Sequence, residues 1–291
     1  YSRIVGTKFA VAVNSCTAAL HVLMTLLRIG PDEEVIVPAN TFASTANAIL
    51  YVGAKPVFAD CDIRTFNVTA ETIESCITAR TRAVIVVHIG GNPCEMHDIV
   101  EVCRQRNLLL IEDCAHAHGS TYFGKNCGSI GVAGAFSFYP TKVITSGEGG
   151  MIVTDSAEIY RGAKTFRNVG RATIGDTHVT MLGFNYRMTD IHACIGLNQL
   201  GHLQEFVEIR NRIADIYAEE LSSVDWVEPQ LVSSQSTCSY YAYICRILPK
   251  APLSRDALIQ RLGDKRIETT VMYRPVYSQP YYAEKLKANR C

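Results

Sequence analysis

The sequence predicts an α/β fold, a mostly parallel sheet flanked by helices, followed by a smaller α+β unit. Three observations carry that expectation. From Phe9 onward short β-rich runs alternate with helical patterns. Two of the runs, RAVIVVH from Arg82 and LLLIEDC from Leu108, are apolar at nearly every position. Beyond Trp226 the texture changes to a loop with Pro229 and a Ser/Gln/Thr run. A strand apolar on both sides belongs in a sheet covered on both faces, which is the habit of parallel sheets with helical crossovers.

Taken in order, FAVAVNS reads as a strand ending at Ser15, and TAALHVLMTLLRIG as a helix starting near Thr17. EVIVP is a strand, the stretch 40–51 is helical, and KPVFADCD is the next strand; RAVIVVH and LLLIEDC follow. The short strands GAFSFY and GMIVTD flank Lys142, and a helix begins near Ser156. From Thr189, placed as a cap, apolar residues recur at helical spacing for many turns and predict one long connecting helix. The C-terminal part reads as a strand YYAYICRIL, a helix opening near Ser254, and a strand around TTVMYRPVY. The expected division is a large α/β domain over 1–188, the connecting helix over 189–222, and a small α+β domain over 223–291.

Composition narrows the function. Of 291 residues 48% are hydrophobic, enough for a large core. Lysine plus arginine total 28 and aspartate plus glutamate total 28, so there is no excess of positive charge to neutralise nucleic-acid phosphates, and no nucleic-acid partner is expected. No apolar run is long enough to cross a bilayer, and the first residues resemble neither a secretory signal nor a transit segment; a cytoplasmic protein with no membrane partner is expected. The eleven cysteines are scattered through apolar segments without a close CxxC pair. They read as reduced, mostly buried thiols, and no metal site is expected.

Three segments carry chemistry. IEDCAHAHG puts Asp113 at the carboxyl end of a buried strand, where ligands of open α/β sheets gather. An aspartate there can keep a pyridinium nitrogen protonated and make a cofactor ring an electron sink, with His116 in reach of the ring oxygen; read alone, Asp113 could equally cap a helix. FSFYPTKVITSGEGG sets Lys142 after Ser137, an aromatic pair and a proline, and before Gly147, Gly149 and Gly150. A lysine that bonds a carbonyl must be aimed and held among groups that lower its basicity, and Lys142 fits that need, while the glycines alone could form an ordinary loop. VNSCTAALHV joins a strand to a helix N-terminus at Cys16 and Thr17, a natural phosphate seat although such joints are common. Phe42, in ANTFAST, could stack on a planar ring or lie in the core.

Together these segments resemble the DegT/DnrJ/EryC1/StrS family of sugar aminotransferases. The likeness runs from VGTKFAVAVNSCTAALH through EVIVPANTFASTANAILYVGAKPVFADCD, EDCAHAHGSTYFGK, FSFYPTKVITSGEGG and GFNYRMTDIHACIGLNQL to ETTVMYRPVY. It implies the type I fold of pyridoxal-phosphate (PLP) dependent transferases, with a mostly parallel seven-stranded-type sheet. It also implies that Lys142 is the Schiff-base lysine, that Asp113 partners the pyridine nitrogen, that His116 lies near the PLP hydroxyl and that Phe42 stacks on the ring. Cys16, Thr17 and Ser137 would surround the phosphate, and Asn185 of GFNYR would reach it from a neighbouring subunit, making a homodimer with shared active sites.

The reaction implied is a ping-pong transfer in which glutamate or glutamine converts PLP to pyridoxamine phosphate (PMP) and a keto-sugar, most plainly a nucleotide-linked keto-deoxysugar, takes the amine. A ketocyclitol acceptor is a second reading, and a non-catalytic regulatory or scaffolding protein a third. Relatives that dehydrate sugars carry histidine where Lys142 stands. The family's small residue reads Cys16 here, its HY and PLH elements read Met272-Tyr273 and Pro275-Val276-Tyr277, and by the same likeness the chain looks truncated at both ends.

Overall fold

A computed structural model describes residues 1–173 and 175–285. Residues 286–291, the end of the expected small domain and the position of Cys291, lie outside the described residues. A seven-stranded sheet holds the chain together: β1 (Phe9–Val13), β2 (Glu34–Pro38), β3 (Lys55–Ala59), β4 (Thr81–Val87), β5 (Leu109–Asp113), β6 (Ala133–Ser137) and β7 (Gly150–Thr154). Their spatial order is β1-β7-β6-β5-β4-β2-β3. The strands β3, β2, β4, β5 and β6 pair in parallel, and only β7 runs against its two neighbours.

The apolar runs are explained by burial on both faces. Along β2, Val35 and Val37 point into one core and Ile36 into the other; along β4, Ala83 and Ile85 join the first and Val84 and Val86 the second. The first core is closed by α1 (Cys16–Leu26), α2 (Ala43–Tyr51) and α4 (Ala157–Phe166), which supply Leu20, Leu23, Ile49 and Phe166. The second is closed by α3 (Met96–Gln105) through Met96, Ile99 and Cys103. Ser15, Ser156 and Thr189 accept from the backbone N–H three residues on and so fix where their helices begin.

Three expectations need correction. The long helix is two helices, α5 (Asp190–Leu200) and α6 (Leu203–Leu221), broken at Gly201 and His202; glycine is the weakest non-proline helix former, and neither break residue is buried to compensate. The strand YYAYICRIL is only Cys245–Ile247, paired to Val227–Pro229. The preceding residues give their backbone groups elsewhere: Ser239 N–H donates to the Ser120 hydroxyl and Arg210 donates to the carbonyls of Tyr240 and Tyr241. No strand forms around TTVMYRPVY, where Tyr273 N–H donates to Asn40 Oδ1 and Val276 N–H to the Ala39 carbonyl, while Pro275 has no N–H to offer. The helix expected near Ser254 is present as α7 (Arg255–Asp264). Nine described cysteines are free thiols, six of them buried.

Candidate active site

The carboxyl edge of β5 separates two acids that look alike in sequence. Successive strand residues face opposite sides. Glu112 accepts from the backbone N–H groups of Gly128, Ile130 and Gly131 and lies 3.2 Å from His88 Nε2, so it is a fully satisfied structural carboxylate. His88 Nδ1 accepts from Cys94 N–H, so Nε2 carries the proton and donates to Glu112. His88, Glu112 and Cys114 are close enough to suggest a metal cluster, but the polar atoms of the histidine and the carboxylate are committed to these bonds.

Asp113 faces the other way. Its Oδ2 accepts from Thr45 Oγ1 at 2.8 Å and its Oδ1 from Ala115 N–H at 3.1 Å, with the Cys16 thiol 3.9 Å from Oδ1. No helix starts there, so Asp113 closes a short turn and caps nothing longer. Burial raises its pKa above the usual carboxylate range, opposed by the Ala115 N–H, the Thr45 hydroxyl and the charge on Lys142. A buried carboxylate in this state favours a cationic neighbour.

Lys142 is half-buried in the irregular segment between β6 and β7, its Nζ 4.4 Å from the ring centroid of Tyr241. The same ring stacks on His116, centroids 4.1 Å apart and planes 11° from parallel. His116 Nε2 is 3.3 Å from Tyr273 Oη, and Nδ1 is buried without a hydrogen-bond partner among the described residues. Burial, with the charge on Lys142, pushes His116 well below the ordinary imidazole value, so the ring is neutral.

Around this centre stand the other expected residues. Cys16 and Thr17 form the first turn of α1, whose leading N–H groups have no partner within the helix; Thr17 Oγ1 donates to Ser44 Oγ at 2.8 Å. Gly150 packs against that joint so closely that a Cβ would lie 2.3 Å from the Ser15 carbonyl, and only glycine leaves room there. Phe42 precedes α2 and is 60% exposed, not core, its ring 6.2 Å from that of Tyr273. Ser137 ends β6, and its carbonyl accepts from His118 Nε2 at 2.6 Å. A carbonyl only accepts, so Nε2 holds the proton and Nδ1 accepts from Tyr1 Oη at 2.8 Å. Asn185 stands apart, exposed and joined to Asn168 by an isolated backbone bridge.

Sequence reading missed Thr45, His118 and Tyr241, and met Tyr273 only as part of the Met272-Tyr273 element. Thr45 was within reach of inference, lying three residues after Phe42 where a helix brings both to one end. So was His118, two residues beyond His116. Nothing local marks Tyr241.

The sequence pattern of the DegT/DnrJ/EryC1/StrS aminotransferase family matches residues 2–291. The chain belongs to that family. GDP-perosamine synthase of Escherichia coli O157:H7 is 40% identical over 279 residues, 96% of this chain and 75% of that protein. Among solved structures, the aminotransferase TlmJ from Streptoalloteichus hindustanus superposes with a TM-score of 0.92 at 37% identity, covering 97% of this chain and 77% of that one. Spr1654 from Streptococcus pneumoniae, solved in its PLP form, gives 0.91 at 29% identity over 97% of this chain and 78% of that one. The mostly parallel sheet with flanking helices is thus the fold of the DegT-family aminotransferases, and PLP is the cofactor of that family. No helix among the described residues is long and apolar enough to cross a membrane.

The neutral His118 makes stability depend on pH. Burial lowers its pKa from 6.5 to about 4. Because the unfolded chain then binds the proton more readily, the contribution is complete above about pH 6.5 and is lost as pH falls toward about 4, amounting to about 3 kcal/mol at most. Urea unfolding between pH 7 and pH 4 is expected to show this loss, and a His118→Gln variant a shallower slope. An unchanged slope would remove His118 from the account.

Proposed function

We propose that the chain is a PLP-dependent aminotransferase that moves an amino group from glutamate or glutamine to a nucleotide-linked keto-sugar, with Lys142 carrying the cofactor. The observation that carries this reading is the convergence on one sheet edge of a half-buried lysine, a buried carboxylate of raised pKa and a neutral histidine with a free buried nitrogen. The residues fit PLP. His116 offers its unpartnered Nδ1, Asp113 an anion in need of a cation, Phe42 an exposed aromatic face, and the Gly150 cradle keeps the α1 N-terminus open beside Cys16 and Thr17. When bound, PLP supplies an aldehyde and an electron-poor ring.

The chain's own residues do the rest. Asp113 would hold a proton on the ring nitrogen, the helix N-terminus with Cys16, Thr17 and Ser137 would hold the phosphate, and Phe42 and His116 would fix the ring. Lys142 Nζ would take the proton from the donor carbon, hold it and give it up again, as a general base that then acts as an acid. The sugar reading rests on the named activity of the E. coli relative. Loading the protein with PMP and adding nucleotide keto-sugars or a ketocyclitol is expected to restore PLP absorbance with the nucleotide sugars. Recovery with the ketocyclitol alone would move the reading to that acceptor.

A homodimer belongs to the same proposal. Helix α5 has no buried residue, and Leu182, Ile191 and Leu197 are 84%, 75% and 70% exposed, an apolar face suited to a second copy in which Asn185 reaches the partner's phosphate. Mixing Lys142→Ala chains with Asn185→Ala chains then rebuilds one intact site, since both lesions fall in the same pocket, and part of the activity returns. No recovery is expected if Asn185 acts only within its own subunit.

A further inference from the structure

We propose that Tyr241 is a positioning residue for the proton that Lys142 carries, acting through its aromatic face on both Lys142 and His116. The inference rests on the reading of Lys142 as the base. The Tyr241 ring lies parallel to His116 at 4.1 Å, Lys142 Nζ sits 4.4 Å from its centroid, and its hydroxyl is 3.3 Å from that of Thr141, the residue before the lysine. One side chain therefore touches both groups nearest the chemistry.

The segment that presents this ring is clamped. Ser239 Oγ donates to the carbonyl of His116, Ser239 N–H to Ser120, and Arg210 Nη1 to the carbonyls of Tyr240 and Tyr241. Tyr240 is held at φ 45°, a left-handed conformation that a bulky residue adopts only when its surroundings impose it. A Cβ on Gly91 would fall 2.4 Å from Ser239 Oγ, so the segment lies as close as glycine allows. Such fastening aims Tyr241 at Lys142 and His116 and prevents its drifting away.

The physical consequence follows from charge. The amine is neutral when it removes the proton from the donor carbon and is an ammonium until it gives the proton up: a C–H bond breaks as N–H forms, then N–H breaks as a new C–H forms. An aromatic face attracts the ammonium and not the neutral amine, so Tyr241 stabilises Nζ during the interval when it holds the proton, and keeps it within reach of both carbons. The stack meanwhile fixes the His116 ring and with it the direction of its unpartnered Nδ1.

Two variants test this. Tyr241→Phe keeps the face and loses the hydroxyl; Tyr241→Leu loses the face, with Tyr241→Gln as a replacement where the leucine chain does not fold. In the cofactor-free protein, the His116 ring resonances are expected to keep their ring-current shift in Tyr241→Phe and lose it in Tyr241→Leu. In the PLP-loaded protein, single-turnover reaction with the amino donor is expected to slow about tenfold in Tyr241→Leu, within the range of a desolvated cation–π contact, with a larger isotope effect for α-deuterated donor and an unchanged donor KM. Tyr241→Phe is expected to stay within about twofold of the unaltered protein. A Tyr241→Leu chain that carries the cofactor on Lys142 and reacts at the normal rate would overturn the proposal, as would a Tyr241→Phe chain as slow as the leucine variant. Absence of cofactor on Lys142 in the unaltered protein would instead sink the function reading, and this inference with it.

Discussion

Replacing Lys142 with alanine is expected to abolish turnover, with a fall of at least about a thousandfold, since in the proposed function both the attachment of the cofactor and the movement of the proton depend on one nitrogen. The lysine projects from an irregular segment and contacts Tyr241 without joining either core, so the variant is expected to fold. The direct measurement is borohydride reduction of the PLP-loaded protein, which fixes a pyridoxyl group on whichever lysine holds the aldehyde. Peptide mapping is expected to find it on Lys142. The label on another of the chain's lysines would sink the central claim, because no other site residue would then stand where the chemistry occurs.

Changing Asp113 to asparagine is expected to leave PLP bound while slowing amine transfer about a hundredfold or more, because the ring nitrogen loses the anion that keeps it protonated. The proposed phosphate seat lies on other elements, at the start of α1 and the end of β6, and is untouched. The raised pKa of Asp113 adds a second expectation of opposite sign: removing a carboxylate whose ionised form is penalised by burial does not destabilise the cofactor-free protein, since the Ala115 N–H can still donate to the amide oxygen and the Thr45 hydroxyl can turn to accept from the amide NH2. Activity lost with folding stability kept or raised, read by urea unfolding, identifies a functional carboxylate. Near-normal turnover would reduce Asp113 to the residue that closes its turn.

The contrast between Glu112 and Asp113 shows how far the sequence could be read. That two neighbouring strand residues face opposite sides is legible from the period of a β-strand. Which of them meets Lys142 is not. It depends on the three N–H groups of the 128–131 loop that capture Glu112 and leave Asp113 for the other face. Likewise Lys142, His116 and the Cys16–Thr17 helix start were visible as local patterns, whereas Tyr241 joins the same site from 99 residues beyond Lys142 in a segment that reads as plain strand.

By itself the sequence determined the order of strands and helices through most of the first 166 residues, the burial of β4 and β5 on both faces, and the helix starts near Thr17, Ser156, Thr189 and Ser254. These are properties of neighbours: hydrophobic period, capping hydroxyls and turn residues act within a few positions and need no knowledge of where the chain returns. The tertiary structure alone decided that β7 runs against its neighbours, that the long helix breaks at Gly201, and that the segments at 238–243 and 268–276 give their backbone bonds to the large sheet's loops instead of to a strand of their own. Each of these turns on a competition between partners distant in sequence. A backbone N–H satisfied by Ser120 or Asn40 is as well bonded as one in a sheet, and only the packed chain fixes which partner is in reach.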